Sequence, residues 1–187
     1  MSVSKISPTL KVLEGSQLLT IAAGCFWGVE HIYRKNFQDK GIYDLKVGYA
    51  NGDIANYKNP DYKTVCTGAT NFAEALQVSF DPAKISYREL VAFFFRMHDA
   101  THLNHQGPDQ GTQYRSAIFV NDEKQLSVAK EELEKAQKEW YPNHKIVTQI
   151  EYLDSFWDAE EYHQEYLTNN PTGYACPSHF IRTTPKV

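Results

Sequence analysis

Cysteine is scarce in this chain, and no two cysteines stand close together. Three occur in 187 residues, Cys25, Cys66 and Cys176, with no Cys-x-x-Cys anywhere. An odd count at wide spacing argues against a disulfide scaffold and against a zinc ribbon, and fits reduced thiols in a cytosol-like compartment. Positive charge is not in excess either: 19 Lys and Arg face 23 Asp and Glu, a net charge of −4. Neither nucleic acid nor an anionic membrane surface is therefore expected as a partner. No run approaches the roughly 20 apolar residues of a membrane span. The segment from Lys5 and Lys11 to Ala22-Ala23-Gly24-Cys25 is faintly like a lipoprotein signal, but Thr20 breaks the apolar run and Glu14 and Gly15 closely precede it. No targeting segment is expected before Gln17, and the expected location is cytoplasmic. Repeats and low-complexity stretches are lacking as well. What remains is an ordinary globular composition, 42% hydrophobic and 22% charged, at a length that fits a single catalytic domain over residues 1–187.

Periodicity then orders the chain. Residues 1–15 are polar and read as an arm outside the core. Leu18-Leu19-Thr20-Ile21-Ala22-Ala23 is short enough for a buried strand near 17–23, and Phe26, Val29, Ile32 and Tyr33 recur at helical spacing, predicting a helix to about Phe37. Tyr43, Leu45, Val47 and Tyr49 alternate with Asp44, Lys46 and Gly48, as in a half-buried strand. Residues 51–71 read as a long loop holding Tyr57, Tyr62 and Cys66, and a loop of that length inside a compact domain is often functional. In the next strand Phe72, Leu76, Val78 and Phe80 share a face, and Glu74 has their parity. Ser86-x-x-Glu89 is a capping box opening an apolar helix through Leu90, Val91, Phe94 and Phe95. A strand fits Arg115 to Val120; Asn121 is placed to cap a long charged helix reaching Trp140 and stopped by Pro142. A strand near 146–151, a helix near 158–168 and an irregular tail over 171–187 follow. Strand-helix-strand twice over 17–120 predicts an α+β fold: a two-layer α/β sandwich with a ferredoxin-like split βαβ core, helical and irregular additions lying C-terminal to it.

Cys25 falls at the first strand-to-helix turn. Unpaired N–H groups and the positive end of the helix dipole favour an anion there, so a lowered thiol pKa and nucleophilic character are expected. Gly24 and Gly28 let the backbone come close to something, and Phe26 and Trp27 can wall a small apolar ligand. For a lone cysteine, a small buried thiol in a packed turn is nevertheless the commoner meaning of such a place. Glu74 in an apolar register is costly to ionise and can keep its proton near neutrality, unless a bulge or strand end turns it into solvent. His98, His102 and His105 stand at i, i+4 and i+7, but helical phasing is expected to fail after about residue 101, and no metal is expected. Gly107–Ser116 lacks the Lys-Ser/Thr ending of a phosphate loop; it offers Asp109 and Tyr114 as hydrogen-bonding groups, or merely as turn formers. Cys176 lies in a Gly/Pro-flanked segment able to move, whereas Cys66 reads as structural. These residues describe a thiol-dependent enzyme with a resolving cysteine, and spacing goes no further.

Gly-Cys-Phe-Trp-Gly28, Val47-Gly-Tyr-Ala-Asn-Gly52, Tyr62-Lys-Thr-Val-Cys-Thr-Gly68, Phe72-Ala-Glu-Ala75, Gly111-Thr-Gln-Tyr-Arg-Ser116 and Glu161-Tyr-His-Gln164 occur in this order. The set resembles the A-type peptide-methionine sulfoxide reductases over roughly residues 17–180. The resemblance implies reduction of the S epimer of methionine sulfoxide, free or in proteins. It implies Cys25 as the nucleophile that becomes a sulfenic acid, Phe26 and Trp27 as the seat of the substrate methyl group, and Glu74 as the acid that protonates the sulfoxide oxygen. Tyr62 and Tyr114 match hydroxyls that bond that oxygen, and Asp109 a carboxylate that orders the site. It further implies a disulfide to Cys176, thioredoxin as reductant, repair of proteins under oxidative stress, no cofactor, and a monomer. Many relatives carry two recycling cysteines near the C-terminus; here Cys176 stands alone and is expected to be the sole resolver. His105 replaces a frequent arginine and His102 is unusual; neither is expected to be essential. A thiol peroxidase or redox sensor using the same cysteine pair is the alternative, and a binding module for apolar groups a third.

Overall fold

The strand Ala73–Phe80 (β3) lies at the middle of the molecule, and all its residues are buried. The computed structural model describes residues 3–187. Before β3 come Gln17–Ala23 (β1), Phe26–Phe37 (α1), Ile42–Ala50 (β2) and the short helix Tyr62–Val65 (α2). After it come Tyr87–Met97 (α3), the two-residue strands His105–Gln106 (β4) and Asp109–Gln110 (β5), Ser116–Val120 (β6) and Glu123–Glu139 (α4). Gln149–Tyr152 (β7), Phe156–Asp158 (β8) and Tyr166–Asn169 (α5) complete the elements.

One sheet has the order β7-β6-β1-β3-β2-β8, and β4 with β5 forms a separate hairpin. In its centre β1 pairs antiparallel with both β3 and β6, and β2 with β3. The helix α1 thus links β1 to β2 with β3 inserted between them, and α3 links β3 to β6 with β1 inserted. That is the expected α+β, ferredoxin-like split βαβ core. Beyond it, β7 adds in parallel to β6 and β8 antiparallel to β2.

The two sides of β3 show why it can be buried on both. Leu76, Val78 and Phe80 belong to the main core with residues of α1 and α3 such as Val29, Tyr33, Leu90 and Phe94. The opposite side is small and polar: Ala73 and Ala75 pack with Phe119, Leu153 and Phe156, while Gln77 and Ser79 are fully buried. Burying an amide without partners costs roughly 1–3 kcal/mol, and the N-terminal arm removes that cost. Ser7 N donates to Gln77 Oε1 at 2.8 Å, and Gln77 Nε2 donates to the carbonyl of Lys5 and to Thr20 Oγ1, each at 3.0 Å. The arm is therefore the second cover of the sheet, with Leu10 itself buried.

Local chemistry departs from expectation at four places. The long loop 51–71 contains α2, opened by Asp61, whose carboxylate accepts from Thr64 N at 2.8 Å. Asp122, not Asn121, caps α4, accepting from Gln125 N at 2.8 Å, while Asn121 Nδ2 donates to Gln125 Oε1. The strand expected near 146–151 begins only at Gln149. No continuous helix spans 158–168: β8 is followed by a 3₁₀ turn over Glu161–His163 and by α5, with Glu165 left-handed (φ 52°) between them. The edge of β2 explains it. Gln164 accepts from Val47 N at 2.9 Å and donates to Val47 O at 2.8 Å, and Ala159 N donates to Val47 O at 3.0 Å. Pairing to a distant strand edge overrides a local helical pattern. Among the described residues no helix is long and apolar enough to cross a membrane.

The box on α3 forms reciprocally, Ser86 Oγ accepting from Glu89 N and Glu89 from Ser86 N. Ser86→Ala removes one side of it and is expected to destabilise the fold by about 1 kcal/mol, read as a lower urea midpoint at unchanged m-value.

Candidate active site

Gly24 carries the chain from β1 into α1 at φ +91°, and a Cβ there would stand 2.6 Å from Cβ of Gln106. Both facts demand glycine. The next residue, Cys25, is the N-cap of α1 and is buried. Backbone hydrogen bonds from Trp27 and Gly28 pull its pKa down, as a helix N-terminus should. They do not win. Burial first, then the carboxylate of Glu74, push the thiol well above its ordinary range. The expected lowering from the helix end is therefore reversed: with Glu74 ionised, Cys25 rests as a protonated thiol.

Glu74 points into the core side of β3 and is 1% exposed, so no bulge turns it to solvent. Its Oε2 accepts the N–H of Phe26, the first residue of α1, at 3.0 Å. Its Oε1 is buried without a hydrogen-bond partner. Burial pushes its pKa up to about 8 against the pull of that N–H, with Asp109 adding to the rise. The carboxyl thus keeps its proton near neutrality, and Oε1 is the oxygen left free to carry it.

Tyr62 opens α2 and Tyr114 ends a 3₁₀ turn before β6. Both rings lie by Cys66, whose thiol is pushed up by burial against the pull of the two hydroxyls, and the charges of Glu74 and Cys25 reach both rings. Cys66 thus stands among the groups around Glu74. The two segments are tied together by buried Arg115, whose guanidinium donates to the carbonyls of Asn71 and Thr112 at 3.0 Å each. Glu160 fixes the start of α2 by accepting from Tyr62 N at 3.2 Å, and also accepts from Tyr49 Oη at 3.0 Å.

Phe26 and Trp27 divide the apolar wall. Phe26 is fully buried, 5.1 Å from the ring of His163, so it backs the wall. Trp27 is half-buried and is locked by two neighbours: its Nε1 donates to His163 Nδ1 at 2.9 Å, and Tyr166 stacks on it at 3.7 Å. An indole held this way presents a fixed apolar face.

On the other flank the Tyr174 hydroxyl donates its one proton to the carboxylate of Asp109, on β5, lying 3.1 and 3.0 Å from its two oxygens. Cys176 is buried beside them, its sulfur 3.5 Å from the carbonyl oxygen of Gln106. The tail is irregular but docked: Arg182 N donates to Arg96 O at 2.9 Å. All three cysteines are free thiols. The three histidines at helical spacing do not converge, because α3 already ends at Met97. His98 is buried between Phe94 O and Ser116 Oγ, with its pKa pushed down to about 3 by burial, while His102 and His105 stack on each other at 4.3 Å.

A thiol, a protonated carboxyl, two hydroxyls and an apolar wall therefore share one site, with a second thiol docked beside it. A family model described as peptide methionine sulfoxide reductase matches residues 17–186. A peptide methionine sulfoxide reductase of Saccharomyces cerevisiae is 52% identical over 96% of this chain and 98% of its own length. This chain belongs to the peptide methionine sulfoxide reductase family. Its fold is similar to that of Mxr1 from Saccharomyces cerevisiae in reduced form, with a TM-score of 0.91 over 96% of this chain and 99% of the other at 52% identity. A second structure, of Mxr1 in complex with Trx2, matches at a TM-score of 0.67 over 96% and 99% of the two chains at 39% identity.

Sequence reasoning about this reductase named Cys25, Trp27, Tyr62, Glu74 and Tyr114, which the structure brings together, and missed the side chains that hold them. Glu160, His163, Tyr166 and Tyr174 each act through another residue. The Glu-Tyr-His-Gln motif was a signal for His163, without a partner to aim at. Because the Glu74 charge raises the Cys25 pKa, Glu74→Gln is expected to shift alkylation of Cys25 to lower pH. Mass spectrometry of iodoacetamide-labelled peptides checks this, and an unshifted profile would sink the electrostatic coupling.

Proposed function

We propose that this reductase acts on the S epimer of methionine sulfoxide, free and in proteins, with Cys25 attacking the sulfoxide sulfur. The observation that carries the reading is the Glu74 carboxyl, protonated and bound to the backbone one residue from Cys25. A sulfoxide oxygen is a poor leaving group until protonated or strongly hydrogen-bonded. Glu74 Oε1 supplies the proton, and the hydroxyls of Tyr62 and Tyr114 donate to the oxygen. Losing the Glu74 proton while Cys25 is neutral, or the reverse, keeps a single negative charge in the buried site. The substrate methyl group rests on Trp27, backed by Phe26.

The oxygen passes to Cys25 as a sulfenic acid and methionine leaves. Cys176 then condenses with it to a disulfide, water being lost. Asp109 holds Tyr174 and thereby the start of the segment that carries Cys176. Thioredoxin reduces the disulfide, a step supported by the complex of the yeast relative with Trx2. The same reading makes the chain a monomeric repair enzyme of the cytoplasm acting under oxidative stress, in a single catalytic domain that needs no cofactor.

Incubation with peptides of each sulfoxide epimer and dithiothreitol tests the assignment: the S epimer is converted to methionine, and Cys25→Ser abolishes conversion. Turnover of peroxide but of neither epimer would replace this reading with a thiol peroxidase. Cys176→Ser is expected to complete one stoichiometric reduction and then stall with thioredoxin. Glu74→Gln is expected to slow methionine formation by roughly 10²–10⁴-fold. In the unsubstituted protein the acid must be protonated, so the rate falls as pH rises through about 8, and that fall is absent from the Gln variant.

A further inference from the structure

Gly24 and Gly28 frame Cys-Phe-Trp, and both lie against one side chain from the far end of the chain. A Cβ on Gly28 would fall 2.2 Å from Nδ1 of His179, and one on Gly24 would fall 3.4 Å from its Nε2. Gly28 stands inside α1, where alanine is ordinarily the better helix former; the His179 ring, not the backbone, requires glycine there. His179 Nε2 lies 2.7 Å from the carbonyl oxygen of Ala23, the last residue of β1, so Nε2 carries the proton and donates it. Nδ1 is buried with no partner, and burial holds the ring below the usual histidine pKa, hence neutral.

The other end of this contact is the resolving thiol. His179 N donates to Cys176 O at 3.0 Å, closing a turn between them. The turn bearing Cys176 is thus bonded, through one imidazole, to the residue two positions before Cys25. Other bonds of the same turn reach the β4–β5 hairpin, Ser178 Oγ donating to Gln106 Oε1, and Arg182 anchors the chain beyond it. Among the described residues, His179 makes the one side-chain hydrogen bond from this turn to the Cys25 turn.

We propose that His179 is a positioning residue for the second half of the reaction. Seated between Gly24 and Gly28, it holds the Cys176 turn in register with the Cys25 turn, so that the sulfenic acid is captured as soon as methionine departs. The inference rests on the reading of Cys25 as nucleophile and Cys176 as resolver. In the step it serves, the Cys176 sulfur attacks the Cys25 sulfur; the S–O bond breaks, the S–S bond forms, and the hydroxide leaves with the thiol proton as water. This condensation is redox-neutral: the two electrons that reduced the sulfoxide are shared out as one lost from each cysteine sulfur, and no outside reductant enters. His179 touches none of the reacting atoms.

A quenched single turnover on the full chain separates the two halves. The protein is mixed with a methionine sulfoxide peptide without reductant; methionine and the Cys25–Cys176 disulfide are followed together. His179→Ala is expected to slow disulfide formation relative to methionine release by roughly tenfold or more, since small misplacements of reacting groups carry costs of this size. Sulfenic acid then accumulates and is trapped by dimedone. His179→Gln, which keeps an N–H able to reach Ala23 O, is expected to restore most of the ratio. Gly28→Ala, which fills the seat of the ring with a Cβ, is expected to reproduce the defect. An unchanged ratio in His179→Ala, an equal fall of both rates, or no rescue by Gln would overturn the inference. Methionine release by the unsubstituted protein without any Cys25–Cys176 disulfide would instead overturn the assignment of Cys176.

Discussion

A single hydrogen bond, from Phe26 N–H to the Glu74 carboxylate, organises this molecule. It joins the first turn of α1 to the most buried strand of the sheet. Cys25 immediately precedes Phe26, so thiol and carboxyl are set relative to each other by main chain, not by a flexible pair of side chains. The arrangement is possible because β3 is covered twice. Helices pack on its apolar side, and the N-terminal arm satisfies Gln77 and Ser79 on the other. A strand with one wet face would give Glu74 a route to water and an ordinary acidity.

The electrostatics of the site follow from that burial. A helix N-terminus by itself offers a thiolate two backbone donors, yet desolvation and a neighbouring carboxylate outweigh them. The thiol and the acid act as one protonic unit, each protonation state set by the other. Around them sits a ring of groups that hold the neighbouring side chains in place: Glu160 under Tyr62, His163 and Tyr166 against Trp27, Asp109 with Tyr174. Precision of about half an ångström in such sites comes from supports of this kind.

The strands, the first helix and the capping box were legible because each is written in neighbouring residues with a period of two or three to four. Glu74 was legible too, its parity placing it among Leu76, Val78 and Phe80. Its proximity to Cys25 was not, being a contact between residues 48 or more positions apart. For the same reason the acidity of Cys25 was misjudged: only the local donors could be read, and the opposing terms are tertiary. The segment near 158–168 was misread as helix because the edge of β2, over a hundred positions away, claims Gln164. Gly24 and Gly28 announced a close approach, and its cause, His179, lies at the other end of the chain.

An acid kept neutral inside the fold also leaves a mark on the protein as a whole. Glu74 has a raised pKa in the folded state, about 8, whereas in an unfolded chain it returns to about 4.5. Between those values the native state binds the extra proton, so the contribution of this residue to stability is fully present below about pH 4.5 and is lost as pH rises toward 8. The direction is opposite to that of an ion-paired surface carboxylate, which strengthens a fold as pH rises. Each native molecule takes up a fraction of a proton from a neutral solution merely by folding, and the group responsible is buried beside Cys25.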